Sequence, residues 1–190
     1  MVDPDNVTIY DRDDRDLEEF LLFSIAVAGK TAKTVAPIVD RFVKEITNDG
    51  LYPILASIRG CECMGTDIAE MLKDHGLGCH THKAKSFVDV ARKDLDLRRC
   101  SVADLENCFG IGPKTARFFI MHSRKDAPPL AALDTHILKF LVEQGVEDVP
   151  KTTPSAGPTY IRLEQAFLDH VPYDMSPAEF DLEVWKRYRK

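Results

Sequence analysis

Apolar residues recur at helical spacing along most of this 190-residue chain. Between Leu17 and Ala28 four of them follow steps of four, four and three positions. Between Val35 and Ile46 six apolar residues are spaced three, one, three, one and three positions apart, which also places them on one helix face. Steps of three and four place side chains on one face of a helix, whereas a half-buried strand alternates every second residue. No segment alternates convincingly at period two, so the sequence predicts an all-α fold.

Capping and breaking residues place the remaining helices. Their predicted positions are about 51–58, 66–74, 82–94, Ser101 to Gly110, Pro113 to Ser123, Asp134 to Gly145, and a last helix capped by Ser176. Serine and aspartate are typical N-caps, glycine typically follows a helix end, and proline suits the first helical position. Ser176 and Glu179 form a capping box, with Pro177 at the first helical position. The proline-rich stretch VPKTTPSAGP, residues 149–158, predicts a loop.

The length predicts one domain, or one domain divided into two lobes. Three segments are expected: residues 1–16 as an acidic N-terminal segment, 17–143 as the main helical domain, and 144–190 as a linker and helices that pack on that domain. A chain of this size buries about two-thirds of its unfolded surface, so its core needs no disulfide or metal to hold it together.

The net charge of −6 is concentrated at one end of the chain. Residues 1–20 hold eight acidic and two basic side chains, so the remainder is neutral overall. Within it, residues 81–100 carry six basic and three acidic side chains, and residues 110–140 carry five basic and two acidic ones. Two basic patches are compatible with a nucleic-acid partner, although solvated helix faces look the same.

Composition and targeting signals favour a cytoplasmic protein of a bacterial, archaeal or virus-infected host cell. No apolar run approaches the ~20 residues that span a bilayer, so no membrane partner is expected. The first residues do not form a basic stretch followed by an apolar one, as a secretion signal does. The five cysteines are odd in number and loosely spaced, which is typical of free thiols in a reducing compartment.

Two stretches resemble ligand-binding motifs without matching them. AGKTA, residues 28–32, lacks the first glycine of a phosphate-binding P-loop, since Ser24 stands at that position. CEC at 61–63 and CHTH at 79–82 match no standard spacing of zinc ligands, and incidental thiols and histidines are favoured there. The sequence therefore predicts neither a nucleoside triphosphate site nor a metal site.

The stretch FGIGPKTARFF, residues 109–119, carries the strongest chemical signal. Gly110 and Gly112 permit a tight turn with outward N–H groups, and Pro113 opens a helix, so a phosphate would bind well at this helix N-terminus. If Gly112 is the N-cap, Lys114 occupies the second helical position, where the helix dipole disfavours a cation by about 0.3–1 kcal/mol. That position favours the neutral amine that a nucleophile needs. An alternative interpretation fits the same residues: Lys114 is exposed and only neutralises a phosphate that the hairpin binds.

A second signal follows twenty residues later, in LAALDTHILKFL, residues 130–141. Asp134 stands at a helix start, where a carboxylate caps N–H groups and suits the dipole. Capping alone accounts for Asp134. The combination of Asp134 with Lys114 indicates a catalytic site more strongly than either residue does alone.

The order helix, FGIGPKTA, helix, interrupting loop, LAALDTHILKFL resembles the helix-hairpin-helix DNA glycosylase superfamily. The best match covers about 101–143, and weaker likeness extends it to 17–143. The resemblance implies a two-lobed helical fold, with Lys114 as the lysine of the bifunctional glycosylase/lyases and Asp134 as the catalytic aspartate. It implies DNA contacts from the hairpin and from nearby polar or basic side chains: Gly110, Ile111, Gly112, Thr115, Arg117, Lys139 and, by looser placement, Lys30. His136, which adjoins Asp134, is a possible pocket residue.

Several features depart from that pattern. Endonuclease-III-like members follow the aspartate with four cysteines that hold an iron–sulfur cluster, and no cysteine follows Cys108 here, so no cluster is expected. The resemblance implies no other cofactor except an alkali cation at the hairpin. The loop before Asp134 lacks the typical Val-Asp pair, and residues 144–190 resemble nothing assignable.

Three functions remain open on the sequence alone. The first is a base-excision enzyme that flips a modified base out of DNA and acts as an N-glycosylase and lyase, as an expected monomer. The second uses the same fold to join a small amine or amino acid to an activated 5-hydroxymethyl pyrimidine, as viral enzymes of thymine hypermodification do. The third is a catalytically silent DNA-binding module, which needs the glycines but neither Lys114 nor Asp134.

Overall fold

A computed structural model describes residues 1–189 of the chain, and it is all-helical as predicted, with no strand in that range. The helices are α1 (Asp14–Ala26), α2 (Ala32–Ile46), α3 (Ile54–Cys63), α4 (Ile68–Asp74), α5 (His80–Lys93), α6 (Val102–Glu106), α7 (Pro113–Ser123), α8 (Thr135–Glu143), α9 (Pro158–Leu168) and α10 (Pro177–Tyr188).

The chain forms two compact units that are interleaved in sequence. The N-terminal unit comprises Met1–Val7 and Asp11–Ile111, so it contains α1 to α6. The C-terminal unit comprises Thr8–Tyr10 and the chain from Gly112 onward, so it contains α7 to α10. The boundary falls inside the predicted hairpin.

In the N-terminal unit, α1 and α5 pack with α2, α3 and α4 around a core of large apolar side chains. Phe42 and Phe87 are fully buried there, with ring centroids 5.8 Å apart. Lys83 of α5 is also buried, and its ammonium donates to the carbonyl oxygens of Ile25, Ala26 and Ala28. A cation thereby caps the C-terminus of α1, where unpaired carbonyls accumulate negative partial charge.

The core of the C-terminal unit is built from α8, α9 and α10. Its buried members include Leu133, Ile137, Leu141, Tyr160, Leu163, Phe167 and Val184. The rings of Phe140, Phe167 and Phe180 meet with centroid distances of 5.2–6.0 Å. Side chains of α9 and α10 thus pack against the apolar face of α8.

Most helix boundaries follow the capping residues closely, but α9 was not predicted and two other helices differ in extent. Ser101 and Ser176 both form complete capping boxes, with Asp104 and Glu179. The helix capped by Ser101 is shorter than predicted, because it ends at Glu106 and the chain turns before Gly110. The third helix begins at Ile54 rather than near 51, since a proline at 53 disfavours helical conformation in the residue before it.

Candidate active site

The hairpin turn requires glycine at position 110 for two independent reasons. Its φ is +75°, in the left-handed region. A Cβ there would also lie 2.3 Å from Ser86 Oγ and 2.9 Å from His82 Cε1. The turn is closed by the amide of Ile111, which donates to Cys108 O at 3.1 Å. Within residues 1–189, the Gly110 amide in the N-terminal unit has no hydrogen-bond partner, and neither does the Gly112 amide in the C-terminal unit.

Helix α7 begins as the sequence predicts, with Gly112 as an extended N-cap, Pro113 at the first position and Lys114 at the second. Lys114 is half-buried, and its Nζ lies 4.8 Å from the centroid of the Phe118 ring. An ammonium or amine over a ring face is restricted in the directions it can point. The lysine is therefore held by the helix rather than extended into solvent.

The remaining predicted DNA contacts lie in different environments. Lys139 on α8 and Lys30 after α1 are exposed. Thr115 is buried, and Arg117 is engaged inside the C-terminal unit. The Arg117 guanidinium donates to Glu164 Oε1 at 2.8 Å and lies 4.5 Å from the Tyr160 ring centroid. Arg117 makes these contacts within the C-terminal unit, and its contact with a DNA phosphate stays a prediction.

Asp134 is the N-cap of α8. Its Oδ1 accepts hydrogen bonds from the amides of His136 at 2.8 Å and Ile137 at 2.9 Å. The structure thus confirms the capping geometry read from the sequence. The second carboxylate oxygen, Oδ2, has no hydrogen bond within residues 1–189.

The segment that leads into Asp134 is fixed by side chains from the loop before α9 and from α9 itself. The Tyr160 hydroxyl accepts from the Leu133 amide at 3.1 Å and donates to Ala131 O at 2.9 Å. Thr153 Oγ1 donates to Leu133 O at 2.8 Å, and Glu164 Oε1 accepts from the Ala131 amide at 2.9 Å. Burial raises the pKa of the Tyr160 phenol, which keeps its proton available for donation. Residues 153–164 therefore determine where Asp134 lies.

The electrostatics of Asp134 are dominated by burial. Desolvation raises the pKa of this carboxyl above its ordinary value, and the nearby carboxylate of Asp181 raises it further. The Ile137 amide, Lys114 and His136 act in the opposite direction. The influence of Lys114 on this pKa means that the two predicted catalytic side chains share one electrostatic environment.

His136 is partly buried beside the aspartate, and its Nδ1 is a buried atom with no hydrogen-bond partner in residues 1–189. A buried imidazole nitrogen without a partner is costly, and such atoms concentrate where a ligand or water binds. The role of His136 in a pocket stays a prediction.

Sequence reasoning missed two ionisable residues near this site. His122 on α7 is fully buried, and its Nε2 lies 3.3 Å from Oδ2 of Asp181 on α10. His122 was missed because its position in an apolar helix favours a role in the core. Asp181 was missed because no sequence motif connects its C-terminal helix with the site. The capping box at Ser176 predicted the helix that carries Asp181, but it gave no indication of a role for that residue.

The cysteine and histidine stretches at 61–63 and 79–82 lie in the N-terminal unit. Among residues 1–189, no three His, Cys, Asp or Glu side chains come together as metal ligands. His82 instead packs against Phe109, with ring centroids 4.9 Å apart. In the same described range, no helix is long and apolar enough to cross a bilayer.

Comparison with solved structures decides the fold. The 8-oxoguanine DNA glycosylase of Thermotoga maritima superimposes with a TM-score of 0.67 at 22% identity, over 92% of this chain and 80% of that one. The chain has the helix-hairpin-helix DNA glycosylase fold. The Methanocaldococcus jannaschii 8-oxoguanine glycosylase/lyase, in complex with a 15mer DNA containing 8-oxoguanine, gives 0.67 at 22% identity, over 94% and 83%. An Endonuclease III–DNA complex gives 0.66 at 15% identity, over 96% and 77%.

These helix-hairpin-helix glycosylase structures confirm the fold that the two sequence signals implied. No protein-family model and no curated protein sequence matches the chain. At these identities the likeness shows the fold, and the chemistry has to be argued from the side chains of this chain.

Proposed function

We propose that the protein is a DNA N-glycosylase with an associated lyase activity, acting on a modified base in duplex DNA. The observation that carries the proposal is the half-buried carboxylate of Asp134, which caps α8 with one oxygen and has no hydrogen bond at the other in residues 1–189, and whose pKa, raised by burial, is partly lowered again by the charge of the half-buried Lys114. The two residues follow a hairpin whose unpartnered amides suit a phosphate. The structural likeness to two 8-oxoguanine glycosylases, one of them a glycosylase/lyase in complex with DNA, supports this interpretation.

Asp134 would act as the electrostatic stabiliser of base loss. When the bond between the base and C1′ breaks, positive charge develops on the sugar ring, and a fixed carboxylate in a poorly solvated site stabilises that charge strongly. The Asp134 Oδ1 atom is occupied by two amides, which leaves Oδ2 to face the substrate. The charge on Asp134 is required, so activity should fall as the pH falls through the raised pKa of this carboxyl.

Lys114 would act as the nucleophile. In this step the lone pair of the neutral Nζ forms a bond to C1′ while the bond between C1′ and the base breaks. The base leaves with the electron pair of the broken bond and takes up a proton, and Nζ, which is positively charged once bonded to C1′, loses one. Opening of the sugar ring then gives a Schiff base, from which elimination of the 3′ phosphate cleaves the strand. The short distance to Phe118 restricts the amine in the unbound protein.

DNA binding would combine backbone contacts with extrusion of one nucleotide. The amides of Gly110 and Gly112 and the exposed Lys139 would bind phosphates without reading sequence. A base inside a duplex is inaccessible, so it has to be flipped out at a cost of a few kcal/mol. A monomeric state and an alkali cation at the hairpin stay predictions.

Borohydride trapping tests the proposal directly. A panel of duplexes, beginning with 8-oxoguanine opposite each base, is incubated with protein and sodium borohydride, which reduces a Schiff base to a stable adduct. Wild-type protein and the exposed control Lys125→Ala should be trapped, whereas Lys114→Ala should not. Absence of a wild-type adduct on every duplex, including one with an abasic site, would contradict the lyase assignment.

Mass spectrometry of the same reactions separates the alternatives. Release of free base supports glycosylase action, and it should drop more than about 100-fold in Asp134→Asn if the charge is essential. A mass gain on a 5-hydroxymethyl pyrimidine in the presence of an amine would instead indicate the transferase. Full DNA binding with neither product, unchanged in a Lys114/Asp134 double variant, would indicate a silent binding module.

A further inference from the structure

A cavity of about 510 Å³ lies within the N-terminal unit, to which neither Lys114 nor Asp134 belongs. It is lined by one face of α5, by the end of α3, by the start of α4 and by Phe109, which precedes the hairpin. Its floor includes the buried side chains of Ile68 and Ala84. Pockets that bind small ligands measure roughly 300–1,000 Å³, so this cavity has the size of a ligand site.

An aromatic ring held from two sides forms the wall beside the hairpin. Phe109 is 46% exposed. Its amide donates to Asp89 Oδ2 at 2.7 Å, and its ring packs on that of His82, with centroids 4.9 Å apart. Both partners lie on α5. The exposed part of the ring is therefore a fixed apolar surface, which a planar ligand can cover without first ordering the side chain.

One cation on the cavity lining lacks a partner. Lys85 on α5 is exposed and has no hydrogen bond or ion pair within residues 1–189. The second lining cation, Arg92, is paired with Glu62. The carboxylates of the lining already accept from amides or from a guanidinium; they are Glu62, Asp67 and Asp89. An anionic group of a ligand would consequently bind at Lys85.

The hairpin continues this surface. The Gly110 nitrogen is bonded to the carbonyl carbon of Phe109, and its N–H has no hydrogen-bond partner in the described part of the chain. A DNA strand whose phosphate accepts from that N–H brings its next nucleotide to the ring of Phe109. An N–H group and an ammonium suit successive phosphates, and an aromatic ring suits a base.

We propose that the cavity binds one unpaired nucleotide of the DNA strand that the hairpin holds, with the base against Phe109 and the phosphate at Lys85. The inference rests on the DNA-binding part of the function proposed above. It concerns a nucleotide other than the damaged one, which would go to Lys114 and Asp134. The nucleotide is unpaired because a base inside a duplex has both faces covered by its neighbours. The protein would therefore bind a duplex that continues as a single strand more tightly than a blunt duplex.

The test removes the base from one side of the contact and the ring from the other. Fluorescence anisotropy measures the affinity for duplexes with a non-cleavable abasic analogue and a short single-stranded extension on its 5′ or 3′ side. Phe109→Ala should weaken binding of one of these duplexes about 5- to 150-fold. Removing the base at one position of that extension should weaken wild-type binding equally and should leave Phe109→Ala unaffected, as expected for two groups in direct contact.

Matched variants separate the contact from a folding defect. Phe109→Trp keeps an aromatic ring and should retain the wild-type affinity, whereas Met64→Ala, an exposed apolar residue outside the cavity lining, should change nothing. Lys85→Gln should lower the slope of log affinity against log salt by about 0.7. Lys44→Gln, on an exposed lysine of α2 that is paired with Asp40, should leave that slope unchanged.

Equal affinity of wild type and Phe109→Ala for every extended duplex would overturn the inference. So would a loss in Phe109→Ala that adds to the loss from every base removal, because the ring would then act only on the hairpin itself. None of these measurements needs catalysis. The contact in a protein that forms no borohydride adduct would support the nucleotide site and contradict the glycosylase function, and an adduct without the contact would mean the reverse.

Discussion

Replacing Tyr160 with phenylalanine isolates the contribution of α9 to the candidate site. The hydroxyl bridges the Leu133 amide and the Ala131 carbonyl, at 3.1 and 2.9 Å, and both of those residues have no exposed surface. Tyr160→Phe leaves one donor and one acceptor buried without partners. Each costs about 1–3 kcal/mol, so we expect a loss of about 2–4 kcal/mol in the free energy of unfolding.

Urea unfolding followed by circular dichroism measures that loss, with Tyr173→Phe as the control because Tyr173 is fully exposed. For a chain of this length the loss corresponds to a decrease in Tm of roughly 5–15 °C. Because Asp134 follows the bridged segment directly, kcat for base release should fall while DNA affinity is retained. A loss below about 0.5 kcal/mol, within the range of an ordinary surface substitution, would show that the bridge does not hold the segment.

Three further outcomes follow from the described contacts. Asp134→Asn keeps an N-cap on α8. Because the pKa of Asp134 is raised in the folded protein, the wild-type protein loses stability as the pH rises through that pKa. The variant should therefore have the higher Tm at pH 8, and the difference should vanish in acid. Lys83→Met should cost about 2–4 kcal/mol in urea unfolding by uncapping α1, whereas the exposed Lys85→Met should cost almost nothing. Lys139→Gln should lower the slope of log affinity against log salt by about 1, and Lys44→Gln should leave it unchanged.

Local chemistry made much of the fold predictable. The Ser101 N-cap, the capping box at Ser176, the hairpin glycines and the proline that opens α7 each satisfy a backbone requirement within four residues of sequence, so single-sequence reasoning places them well. The position of Asp134 at the start of α8 was predictable for the same reason.

The supporting residues could not be predicted in this way. Tyr160 contacts the site across 27 and 29 residues, and His122 meets Asp181 across 59. Nothing in an apolar helical pattern distinguishes a histidine that fills space from one that orients a carboxylate. Arg117 illustrates the same difficulty. A basic residue after the hairpin suggests a phosphate contact, and the sequence does not show that its guanidinium donates to Glu164, 47 positions away.

The short segment Thr8–Tyr10 belongs to the C-terminal unit, although seven residues before it and about a hundred after it belong to the N-terminal one. Each unit is therefore built from two segments of the chain, and no single cut gives two pieces that each contain one whole unit. A fragment that starts at Gly112 would contain Lys114, Asp134 and Asp181 but would lack the hydroxyl that anchors His122. Domain dissection at the hairpin should consequently fail for the C-terminal piece unless residues 8–10 are supplied as a peptide, and removal of the acidic N-terminus should perturb the site far along the sequence.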